Sequence, residues 1–143
     1  MNALLRLWER GERPADDGLY RADGRAWHLV EDYGGSCLTG FALAGPAAVG
    51  ELLDPEWTTS ADPHPAGRLV LPDGSGALVC GDGAHGSEGF AARLGPGGAP
   101  VWLLSLSDGN PFEAVALTGT RARFTNNCGH SLVVDLAEPP YGP

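Results

Sequence analysis

From residue 68 onward, turn-forming residues recur so often that only short strands fit between them. Pro72-Asp73-Gly74-Ser75-Gly76 separates apolar runs at 68–71 and 77–80. Proline presets one backbone angle of a tight reversal and glycine supplies the positive φ of the next, so this stretch reads as a hairpin. A third run at 90–94 leads into a glycine and proline turn. Residues 101–106 are apolar on both faces, as a central strand is. Asp108-Gly109-Asn110-Pro111 turns the chain again, and runs at 113–118 and 120–125 meet at Gly119. In the second of these, Ala122 and Phe124 alternate with Arg121, Arg123 and Thr125, the period of a half-buried strand. Asn126-Asn127-Cys128-Gly129 is a further turn. Residues 131–136 then close the sheet with Leu132, Val134 and Leu136 inward.

The first half is less regular. Short strands are expected at 19–21, 26–31 and 37–43. A helix is expected at 2–10, capped by Asn2, with Leu4, Leu5 and Trp8 on one face. A second is expected at 46–53, with Pro46 in its first turn, where a missing N–H costs little. Residues 56–67 are polar, contain Pro63 and Pro65, and read as a loop; the best internal seam lies at 54–67. The proline-rich tail 138–143 is expected to fray. The sum is a single globular domain over 1–143, α+β and near all-β. Its centre is a mainly antiparallel sheet of about seven strands with one or two short helices packed on it.

Composition narrows the function. The chain has no lysine, isoleucine or glutamine, and all nine basic residues are arginine. That profile fits coding in a high-GC bacterium, so the 22 glycines and 12 prolines are no mark of a fibrous chain. The formal net charge of −9 repels phosphate backbones and anionic lipid and favours a basic protein partner. No apolar run approaches the roughly 18 residues of a membrane span. The apolar patch near the start is broken by Arg6, Glu9 and Arg10, unlike a secretory signal. Cys37, Cys80 and Cys128 show no framework spacing, and the expectation is reduced thiols in a cytoplasm.

Two sets of residues and one possible pocket are candidates for function. Cys80 and His85 frame one glycine-rich turn, and Cys128 and His130 another. If those turns met, two thiolates and two imidazoles could hold zinc tetrahedrally, or a thiolate could pair with a histidine base in a thiol enzyme. Trp57 with Asp54, Glu56 and Asp62 makes an aromatic anchor in an acidic rim, a mix that suits a protein–protein surface. A pocket between sheet and helices could take a small ligand. Residues 81–89 lack the Gly-Lys-Ser/Thr of a phosphate loop, the 108–113 stretch lacks a calcium loop's later ligands, and no nucleophile elbow is present. The expected function is therefore a small acidic cytoplasmic binding module of the immunity or antitoxin type, without catalysis or cofactor, that neutralises a basic protein. The Cys/His zinc protein or thiol enzyme and the small-ligand binder are the alternatives.

Overall fold

A computed structural model describes residues 3–143. Helix α1 spans Ala3–Glu9 and a one-turn helix α2 spans Val49–Leu52. The expected cap Asn2 lies outside the described residues. The strands are β1 (Glu12–Pro14), β2 (Gly18–Arg21), β3 (Arg25–Gly34), β4 (Cys37–Ala48), β5 (Thr58–Ser60) and β6 (Asp62–Val70), followed by β7 (Ala77–Asp82), β8 (Gly89–Leu94), β9 (Pro100–Leu106), β10 (Phe112–Thr118), β11 (Arg121–Asn126) and β12 (Ser131–Asp135). Seven of them form one antiparallel sheet in the order β4-β3-β2-β9-β8-β7-β6. Strands β10-β11-β12 form a second sheet, and β1 pairs with β5 as a small ribbon. This is the near all-β architecture that the turn spacing predicts.

The centre of the large sheet, β2 with β7, β8 and β9, is buried on both faces. On one face Leu19, Leu78, Cys80, Ala91, Trp102 and Leu104 pack against Phe112, Ala122, Phe124, Leu132 and Val134 of the small sheet. On the other, Tyr20, Val79, Phe90, Ala92 and Leu103 meet Leu4 and Leu7 of α1 and Leu53 after α2. Strands β8 and β9 therefore alternate between two cores rather than between core and solvent, and they read as continuous apolar runs. Strand β10 packs along β6 and β7, which closes one side of the sandwich.

Four local expectations are corrected. The 56–67 stretch is strand, not loop: it supplies β5 and most of β6. Pro63 and Pro65 are tolerated because β6 is an edge strand with a register shift between Pro63 and Arg68, where no ladder N–H is required. Pro46 likewise sits in edge strand β4, opposite Trp27, and the helix begins only at Val49. The tail is held, not frayed. Its 3-10 turn Pro139–Tyr141 buries Tyr141. Arg21 Nη1 donates to the carbonyls of Pro140 and Gly142 at 2.9 and 3.0 Å, and Trp102 Nε1 donates to Tyr141 O at 2.9 Å. Finally, the cysteines are not all reduced: Cys37 and Cys128 form a disulfide across 91 residues.

The tail's packing gives a direct test. Tyr141 stacks edge-on against Trp102 at a centroid distance of 5.5 Å. Tyr141→Ala is expected to lower unfolding free energy by about 3 kcal/mol, the usual cost of deleting a buried aromatic ring. Urea unfolding followed by tryptophan fluorescence measures it, and a loss below about 1 kcal/mol would show the tail to be peripheral.

Candidate functional site

The register gathers acidic turns at one end of the large sheet. Gly18 stands opposite Ser105, Gly89 opposite Leu106, and Asp62 opposite Asp82. The segments just beyond those pairs therefore share one end, and they carry Asp16, Asp17, Glu88 and Asp108. Strand β3 pairs with β2 only at Ala26 and Trp27, so the rest of the β3–β4 hairpin runs on past β2 towards the same end. It brings Glu31 and Asp32 with it. Acids separated by tens of residues in the chain become neighbours because antiparallel strands return to the same edge.

The crowding acts on Glu31. Its carboxyl is pushed up to about 7, first by burial, then by a hydrogen bond with Asp17 and the negative charges of Asp17 and Asp108; the hydroxyl of Tyr33, which donates to Glu31, partly opposes this. Asp17 is itself anchored, accepting the Ser107 N–H at 2.6 Å. Two carboxyls in hydrogen-bond contact must share a proton, so this end holds less charge below neutrality than above it. A cavity of about 550 Å³ opens beside Tyr33, Asp108 and Asn110.

One cation lies among these acids, and it is buried. Arg13 of β1 has no exposed surface. Its Nη1 donates to Ser105 Oγ at 3.0 Å, and its guanidinium carbon lies 5.3 Å from the Phe90 ring centroid. Nε and Nη2 are buried without a hydrogen-bond partner. Burial lowers the pKa to about 10, opposed first by Glu88 and then by Asp62, Asp17 and Asp82. Glu88 is fixed by Thr59 Oγ1 (2.7 Å) and by the His85 N–H (3.1 Å). Gly83 closes over the group: a Cβ there would lie 2.2 Å from the Glu88 carboxylate and 2.8 Å from Arg13 Nη2. The sequence gives no signal for this arginine beyond the neighbouring Pro14.

The four predicted binding residues fall at or near this end. Trp57 is 61% exposed, and Asp54, Glu56 and Asp62 are exposed too. A turn presents the indole: Asp54 Oδ1 accepts the Glu56 N–H at 2.9 Å and Asp54 O accepts the Trp57 N–H at 3.0 Å. Trp57 O in turn accepts the Ala15 N–H at 3.0 Å, which sets the indole's residue beside Asp16. Asp62 accepts a hydrogen bond from Ser60 Oγ at 2.7 Å.

The candidate zinc residues do not offer two free thiolates. Cys80 is buried in β7, its Sγ 3.6 Å from Ala114 O, with burial pushing the thiol up to about 12. Cys128 is bonded to Cys37, so its sulfur is not a free thiolate. His85 and His130 are exposed on separate turns. Among the described residues, no group of three or more His, Cys, Asp or Glu side chains is arranged to hold a metal ion. No protein-family model matches the chain, and neither a curated protein nor a solved structure matches it.

Glu31 sets a pH dependence whose sign can be worked out. The group's ordinary pKa is 4.5 and its folded value about 7. Between those values the folded state holds a proton the unfolded chain has lost, so stability falls as pH rises through this window. Melting temperature is expected to drop from pH 4.5 to 7.5, and Glu31→Gln, which keeps the hydrogen bonding without the charge, to flatten that drop. An identical slope in the variant would remove Glu31 as its source.

Proposed function

We propose that the protein binds a basic protein partner through its acidic end, with Trp57 as the anchor, and that it acts as an inhibitor of the immunity or antitoxin kind. The observation that carries this reading is the convergence of Asp16, Asp17, Asp62, Asp82 and Asp108 on one end with an exposed tryptophan beside them. Such a field steers a cationic partner into encounter. An aromatic side chain then supplies buried area at little conformational cost. The arginines Arg21 and Arg93 lie at the opposite end, opposite Trp102 in register. There they bind the tail carbonyls, so the acidic end has buried Arg13 but not these two arginines against its charge.

Compartment belongs to the same proposal. Among the described residues no helix is long and apolar enough to cross a membrane. The sequence alone points to a cytoplasmic protein with reduced thiols, whereas the Cys37–Cys128 bond favours an oxidising compartment.

An immunity protein is encoded beside its target, so the product of the neighbouring gene is the partner to test, and it is expected to be basic. Stopped-flow association should slow at least about tenfold between low and near-molar salt, because screening removes steering. Trp57→Ala should weaken the complex by about 2 kcal/mol, mainly through faster dissociation. A salt-independent rate, or unaltered affinity in Trp57→Ala, would contradict the proposal.

A further inference from the structure

We infer that the cavity at the tip of the β3–β4 hairpin is a carbohydrate site that takes a neutral pyranose unit. It holds about 550 Å³, within the range of small-molecule sites. Three segments distant in the chain wall it: Tyr33 and Ser36 come from the hairpin, Ser87 from the β7–β8 connection, and Asp108 and Asn110 from the β9–β10 turn. Asn110 fastens these walls together. Its backbone N–H donates to Ser87 O at 2.8 Å, and its Oδ1 accepts the Leu38 N–H at 3.1 Å. It holds both bonds at a left-handed φ of 62°, a conformation that Asn tolerates. Buried Asn126 braces the same corner, its Nδ2 donating to Leu38 O and Gly109 O at 3.1 and 3.3 Å. The Cys37–Cys128 disulfide ties the hairpin to the turn before β12. Walls cross-linked in this way stand before a ligand arrives, which lowers the ordering cost of binding.

The lining selects the ligand by elimination. An anion is opposed by exposed Asp108 and by Glu31, which accepts the Tyr33 hydroxyl, and among the described residues no basic side chain lines the cavity. A cation would use Asp108 and leave donors unmatched: Asn110 has spent its oxygen on Leu38, so its amide nitrogen offers only N–H groups. A purely apolar ligand would strand the carboxylate, the amide and both serine hydroxyls. A neutral ligand remains, one that donates to Asp108, accepts from Asn110 and lays an apolar face on Tyr33. The Tyr33 hydroxyl is spent on Glu31 while the residue is 45% exposed, which leaves its ring for contact. The electron-rich face of an aromatic ring attracts the polarised C–H bonds of a sugar. The polar groups stand on three walls, matching hydroxyls that radiate from a ring rather than the single edge of a nucleobase. This cavity opens at the acidic end but does not rest on the basic-partner reading, and neutral probes keep the two failures apart.

The probes are the methyl glycosides of glucose, galactose and mannose, titrated into the intact disulfide-bonded protein, with adenosine and argininamide as comparisons. Nitrogen-15 NMR of the backbone amides reads both affinity and place. At least one glycoside is expected to bind saturably, with a dissociation constant in the millimolar range, and to shift the amides of 33–36, 86–87 and 108–110. Tyr33→Ala should weaken it about tenfold, and Tyr33→Phe, which keeps the ring, should leave it within about twofold. Asn110→Asp keeps the acceptor for Leu38 and exchanges the remaining donor for an acceptor. It should weaken the glycoside several-fold, whereas a cation site would bind argininamide more tightly in this variant. Absence of saturable binding by all three glycosides, tighter binding of adenosine or argininamide in this cavity, shifts centred elsewhere, or full affinity in Tyr33→Ala would each overturn the inference.

Discussion

Antiparallel pairing sends every chain reversal to one of two ends, and in this molecule one end gathers carboxylates while the other sets Asp23 and Asp73 beside arginines. The turns that lead into β2 and β8 and out of β9 are acidic, and the β3–β4 hairpin outruns β2 to join them. Arg21 and Arg93 lie towards the other end, where they bind the C-terminal tail. A net charge of −9 spread evenly would give a weak, featureless field. Carboxylates gathered at one end make a directional one.

Concentrating carboxylates raises the energy of the folded state unless something offsets it. Arg13 is the internal counterweight. It sits beneath the β1–β5 ribbon, shares Ser105 with the Pro14 carbonyl, and faces Glu88, Asp62, Asp17 and Asp82. A buried cation costs several kcal/mol to desolvate and is retained only where charges and hydrogen bonds surround it. Thr59 of the same ribbon couples it to the loop that carries Gly83, Ala84 and Glu88, donating to Glu88 and accepting the Ala84 N–H. Removing Arg13 would leave these carboxylates without their buried cation. The Glu31–Asp17 contact is a second offset, achieved by keeping a proton rather than by adding a cation.

The strands from β7 to β12 were legible because their signals are local. Alternation in 121–125 and the Asp108-Gly109-Asn110-Pro111 turn need no knowledge of neighbours. Asn110 in fact takes a positive φ of 62°, as turn chemistry with Asn allows. The first half of strand β6 was hidden by its prolines, which are damaging in a central strand and harmless at an edge. Edge position is a property of the whole sheet, so the sequence could not supply it. The same limit applies to the site. Trp57, Asp54 and Glu56 are close in the chain and could be grouped by eye. The acids at 17, 31, 62, 82 and 108 become a group only through the register, and the Cys37–Cys128 bond closes 91 residues without a spacing motif. Nothing in its local sequence marks Arg13 as buried.

The account rests on carboxylates being forced together at one end of the sheet. Carbon-13 NMR titration of the Glu31 side-chain carboxyl reads that crowding directly, with no partner needed. The account predicts a midpoint near 7 that falls towards the ordinary 4.5 when Asp17 is replaced by asparagine. A wild-type midpoint already at 4.5, indifferent to Asp17, would contradict it.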